Sequence, residues 1–96
     1  MGRALALKKA SGDIKEIAGQ FGAANLRVFG SFAKGSATGN SDLDLLVEFE
    51  PGRDLLDLIG LKQALERRLG IHVDVVTEGG LSPYLRDRIL SEARPL

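Results

Sequence analysis

The sequence predicts a small α/β (α+β) domain, a mixed β-sheet flanked by helices in the order α-β-α-β-α-β-α. Three observations predict it. Leu43, Leu45, Val47 and Phe49 alternate with Asp42, Asp44, Leu46 and Glu48, the period of two expected of a strand with one buried face. Ile71–Val76 carries β-branched residues at four of its six positions, a second strand signal. Ile14, Ile17, Ala18 and Phe21, and later Leu58, Leu61, Leu65 and Leu69, each place apolar residues along one side of a helix.

The first helix is predicted over Asp13–Phe21. Asp13 and Glu16 are spaced as a capping box with Asp in place of Ser or Thr, and Gly22 supplies a stop. Met1–Gly12 reads either as a flexible arm or as a further helical turn. Leu26–Phe29 is a short strand broken at Gly30, where a short helix follows. Leu43–Phe49 is the clearest strand and the Pro51-Gly52 turn ends it. Asp54–Leu69 is the longest helix, closed by Gly70. After Ile71–Val76, Gly79-Gly80 forms a loop. Ser82 as N-cap and Pro83 as first helical residue then start a last helix that runs to Ala93.

Ninety-six residues fit a single domain over 1–96. Thirteen basic residues balance 13 acidic ones, which argues against a dedicated nucleic-acid binder but leaves room for a nucleotide substrate. With no cysteine, disulfides, thiolate metal sites and cysteine nucleophiles are excluded. No apolar run approaches the roughly 20 residues that span a bilayer. The Ala-Leu-Ala-Leu patch near the start is shorter than a signal-peptide core of about 7–15 residues. A cytoplasmic location is expected.

Chemistry concentrates in two segments, Gly30-Ser31-Phe32-Ala33-Lys34-Gly35 and Ser41-Asp42-Leu43-Asp44-Leu45-Leu46-Val47. Residues two apart on a strand share a face, so Asp42 and Asp44 project together, away from Leu43, Leu45 and Val47. By the same rule Asp74 points away from Ile71, Val73 and Val75. If the two strands are neighbours on one core, three aspartates converge. Crowded carboxylates repel, and a divalent cation relieves them. Hard oxygen donors favour Mg²⁺, or Mn²⁺, over zinc. Gly30 and Ser31, between a strand and a short helix, let backbone N–H groups and a hydroxyl approach an anion. Metal-binding carboxylates opposite a phosphate-holding turn describe phosphoryl or nucleotidyl transfer.

These two segments, with Val73-Asp74-Val75-Val76, resemble the polymerase-β-type nucleotidyltransferase family, and most closely its minimal (MNT) branch. The resemblance extends from Asp13 onward. It implies a polymerase-β-like fold in which Gly30, Ser31, Lys34 and Ser41 hold ATP. Asp42, Asp44 and Asp74 would bind Mg²⁺ (two ions) and serve as the catalytic carboxylates, Asp74 also helping to activate the acceptor hydroxyl. Minimal members are similar to antitoxins encoded beside a HEPN-domain ribonuclease toxin, some of which transfer AMP to a toxin tyrosine. The expected partner is therefore a HEPN-domain toxin, as acceptor and in complex. Phe32 and Lys34 depart from the Arg or Tyr and the Arg of many relatives, and Lys34 lacks the bidentate fork.

Other residues carry plainer expectations. His72 reads as a surface or packing residue, and Arg86, Arg88 and Arg94 as a solvated face. Tyr84 is expected to fill a gap against the core. Leu55 and Leu56 broaden the apolar stripe of their helix and could serve a partner interface instead. A non-catalytic module that neutralises a toxin by contact is the alternative to the enzyme.

Overall fold

The computed structural model describes residues 6–96. The elements are α1 (Leu7–Gln20), β1 (Ala23–Phe29), α2 (Ser31–Lys34), β2 (Leu43–Phe49), α3 (Leu55–Leu69), β3 (Val73–Val76), α4 (Pro83–Glu92) and β4 (Arg94–Pro95), with a 3₁₀ turn at Glu78–Gly80. This is the predicted mixed sheet flanked by helices. The strand order is β3-β2-β1-β4. β1 is antiparallel to β2 and β4, and β2 is parallel to β3. A parallel pair needs a long crossover, and α3 supplies it.

One sheet face and two helices build the core. Leu43, Leu45 and Val47 of β2, Val73 and Val75 of β3 and Val28 of β1 are buried with Ile14 and Ala18 of α1 and Leu61 and Leu65 of α3. Gly60 lets the helices close up, because a Cβ there would stand 2.5 Å from the Phe21 ring. Leu46 is also fully buried, but on the face it shares with Asp44 and outside this cluster.

α1 begins at Leu7, earlier than the predicted Asp13, because Leu7 and Ala10 continue the apolar stripe and pack against the core. Residues 7–12 thus take the helical option of the two expected, and residues 1–5 lie outside the described residues. Asp13 is not an N-cap. It sits within the helix and pairs with Arg68 of α3 at 3.2 Å. The reciprocal capping box belongs instead to α3. Asp54 accepts from the N–H groups of Leu56 (2.9 Å) and Asp57 (3.3 Å), while Asp57 accepts from that of Asp54 (3.0 Å). Gly70 ends α3 in the left-handed region, and Ser82 with Pro83 opens α4 as predicted.

β1 starts three residues before the predicted Leu26 because a bulge interrupts its pattern. Ala24 pairs with Glu48 but Arg27 pairs with Leu46, so one extra residue is accommodated between them. Asn25 absorbs it with φ 49°, a left-handed conformation that Asn tolerates. The bulge lets both Ala23 and Val28 face the core despite their odd separation. β4 was not foreseen, since two residues including a proline show no alternation. It pairs Pro95 with Arg27 and Arg94 with Val28.

β3 forms one edge of the sheet, and two side chains of α3 cover its outward backbone. Lys62 donates to the Val73 carbonyl at 2.8 Å, Glu66 accepts from the Val73 N–H at 3.1 Å, and the two side chains pair at 2.9 Å. An edge satisfied in this way offers less of a template to another strand. Lys62 and the Val73 N–H together lower the Glu66 carboxyl from an ordinary 4.5 to about 2. The unfolded chain therefore binds the proton first, so this contribution is present above the unfolded value and is lost as pH falls toward about 2. Glu66→Gln is expected to lower Tm at neutral pH and to flatten this acid limb in melts from pH 7 to pH 2. An unchanged acid limb would show that Glu66 does not carry it.

Candidate active site

The face of the sheet opposite the core carries the candidate site. Pairing sets Phe29, Asp44 and Asp74 in one row across β1, β2 and β3, with Arg27, Leu46 and Val76 in the next. Residues opposite one another share a face, so the parallel register delivers Asp74 beside Asp44 from thirty residues away. Asp42 precedes β2 and lies two residues up the chain on the same side. Asp44 is half-buried, whereas Asp42 and Asp74 are exposed.

The electrostatics record this crowding. Burial first, the Asp74 carboxylate beside it second and Asp42 last push the Asp44 carboxyl from 3.8 up to about 6. Among the described residues, no three carboxylate or imidazole groups are already gathered tightly enough to hold an ion. The register sets Asp44 and Asp74 side by side, and Asp42 adds a weaker repulsion. The donors nonetheless suit a hard divalent cation, which would relieve the repulsion that raises Asp44.

Gly30 forms the opposite wall. Its φ of 70° and ψ of −148° belong to a region that is essentially glycine-only. A Cβ at this position would overlap the Asp44 carboxylate oxygen. The chain can therefore turn from β1 into α2 directly against Asp44 only with glycine here. Ser31 opens the single turn of α2, partly buried, and Phe32 and Ala33 behind it pack against the core. An aromatic residue at position 32 thus anchors the turn from its inner side.

The other two residues expected at the nucleotide are engaged elsewhere. The Ser41 hydroxyl accepts from the Thr38 N–H at 2.8 Å and shapes the turn that launches β2. Lys34 directs its ammonium to Glu92 of α4, 3.3 Å away. His72 is highly exposed, as expected of a surface residue, and its Nδ1 lies 3.4 Å from Glu66. Tyr84 corrects an expectation. It fills no gap in the core but is 95% exposed, because nothing in α4 is buried. Leu55 and Leu56 are 67% and 75% exposed.

Two residues escaped the sequence reading. Arg27 shares the site face, and its Nε is buried without a hydrogen-bond partner among the described residues. The alternation within Leu26–Phe29, with Leu26 and Val28 toward the core, is the signal that places it on the other face. Glu92, the partner of Lys34, is brought near only by the path of the chain through α4.

Two substitutions test this geometry. Gly30→Ala is expected to cost about 2 kcal/mol or more from backbone strain alone, a fall in Tm of about 8 °C or more. A Tm within about 1 °C of the parent would refute the close approach. For Asp44, a folded-state value above the unfolded one means stability is present at low pH and is lost as pH rises through about 6. Asp44→Asn should therefore raise the Tm of the chelator-treated protein at pH 8 by about 2–5 °C, after allowance for partial exposure. It should also remove the decline between the unfolded value of 3.8 and the folded value of about 6.

The family described as "Nucleotidyltransferase domain" matches residues 7–96. The protein adenylyltransferase MntA of Thermococcus cleftensis is 40% identical over 78 residues, covering 81% of this chain and 79% of its own. A solved structure described as a "putative minimal nucleotidyltransferase" is 51% identical and superposes with a TM-score of 0.83, over 94% of this chain and 92% of that one. A chain of a toxin–antitoxin crystal structure with AMP-PNP is similar in fold, with 23% identity and a TM-score of 0.75 over 88% of this chain and 69% of that one.

Proposed function

The chain belongs to the nucleotidyltransferase domain family, in its minimal, MntA-like branch, and from that premise we propose that it transfers AMP from ATP to a hydroxyl group of a partner protein. The observation that carries this reading is the Asp44–Asp74 pair set against the Gly30 turn. The name of the relative supports a protein acceptor. The toxin–antitoxin structure with AMP-PNP supports an adenine nucleotide and a toxin partner, which we take to be a HEPN-domain protein. Among the described residues no helix is long and apolar enough to cross a membrane, and a cytoplasmic setting fits the reading.

The residues divide the work by position. Gly30 and Ser31, at the start of α2, hold the triphosphate through backbone N–H groups and the serine hydroxyl. Asp42, Asp44 and Asp74 would hold Mg²⁺, which when bound would neutralise the phosphates and polarise the phosphorus under attack. Asp74, exposed on the edge strand, is reachable by a hydroxyl presented from outside. It accepts the hydroxyl proton as the acceptor oxygen bonds to the α-phosphorus. The bond from that phosphorus to the bridging oxygen breaks, and pyrophosphate leaves. Positioning and charge neutralisation carry the reaction, with no covalent enzyme intermediate.

Contact-only neutralisation is the second reading, and the exposure of Leu55 and Leu56 favours it. Radiolabelled ATP separates the two. Asp44→Asn and Asp74→Asn are each expected to reduce label transfer to a co-purified partner by about 100-fold or more while the domain stays folded. Full transfer by either variant would end the catalytic assignment. Loss of transfer with neutralisation intact would favour contact.

A further inference from the structure

Lys34 is the one basic side chain of the Gly30–Gly35 segment. It is held at the far end of α4, with its Nζ 3.3 Å from Glu92 Oε1. The same oxygen accepts from Arg88 Nε at 3.3 Å, so two cations share one carboxylate oxygen. Lys34 first and Arg88 second keep the Glu92 carboxyl below its ordinary range, opposed by partial burial. The Glu92 side chain is 24% exposed and that of Lys34 49%, so the lysine can leave at little cost while the glutamate stays.

Helix geometry says where Lys34 would go. Its N–H bonds to the Gly30 carbonyl at 3.1 Å, which sets it one turn after Gly30. Side chains on a helix tilt toward its N-terminus and cover the turn before their own Cα. Released from Glu92, Lys34 leans over Gly30 and Ser31. α4 keeps a separate tether, since Arg86 pairs with Glu78 at 2.7 Å. The Glu92 contact can therefore open without freeing the helix.

We propose that Glu92 is a positioning residue that competes with the triphosphate of the nucleotide for Lys34, so that ATP binding transfers the lysine from carboxylate to phosphate. This rests on the reading that Gly30 and Ser31 hold the triphosphate. The effect is modest because one partly exposed ion pair is at stake, about threefold in affinity.

Calorimetric titration of ATP with Mg²⁺ into the full chain tests it, with Tm recorded alongside. Glu92→Gln should tighten Kd about threefold, and Lys34→Met should weaken it. Arg88→Ala, which leaves Glu92 undivided to Lys34, should also weaken it. In the Lys34→Met background, Glu92→Gln should have no effect. Tightening that persists there would be a general field effect and would overturn the proposal. A change in Tm with Kd at the parent value would make Glu92 a structural tether and overturn it as well. If the parent binds ATP but Glu92→Gln leaves Kd unchanged, the proposal alone fails. If the parent binds no ATP, the nucleotide reading fails and takes the proposal with it.

Discussion

The parallel register of β2 against β3 is the constraint on which the rest of the molecule depends. It sets Asp44 directly beside Asp74, although like charges facing each other across a strand pair oppose the pairing. The opposite face of the same two strands holds the register in place. Leu43, Leu45 and Val47 lie with Val73 and Val75 in the core. A slip of one residue would turn all of them outward, and apolar burial of that extent outweighs the repulsion of two carboxylates. The core and the candidate site are thus two faces of one alignment.

Two further features keep that alignment usable. The crossover helix that makes the parallel pairing possible also covers its open edge, because Lys62 and Glu66 bond the Val73 peptide groups on the side away from β2. The edge is satisfied without a further strand, and Asp74 on β3 stays open to solvent. On the other side, the bulge at Asn25 shifts the phase of β1 by one residue. Ala23 and Val28 then both reach the core, while Phe29 and Gly30 arrive beside Asp44. The glycine-only backbone at Gly30 is the local strain that this approach requires.

Charge is distributed unevenly over this frame. Carboxylates gather on β2 and β3, while the lysine of the Gly30–Gly35 segment is drawn toward α4. In the proposed reaction a nucleotide with its cation would reverse both conditions, neutralising the first and attracting the second. α4 buries none of its residues and exposes Tyr84 fully, so it is attached mainly by ion pairs at its margins and by β4.

Much of this was legible in the sequence. The alternation around Leu43–Phe49 determined β2 and the side on which Asp42 and Asp44 lie. The same period-two rule, applied to Val73–Val76, determined the side of Asp74, because strand side chains alternate whatever the neighbouring strand does. Glycine before serine at the end of a strand marked the turn at Gly30. The extent of α1 was misread because Asp13 and Glu16 match a capping pattern that tertiary packing of Leu7 and Ala10 overrides. Only the tertiary structure decided the pairing of Asp44 with Asp74, the bulge that brings Ala23 onto the core face with Val28, and the contact between Lys34 and Glu92. Each joins residues distant in the chain, and local periodicity fixes the direction of a side chain but not the partner it meets.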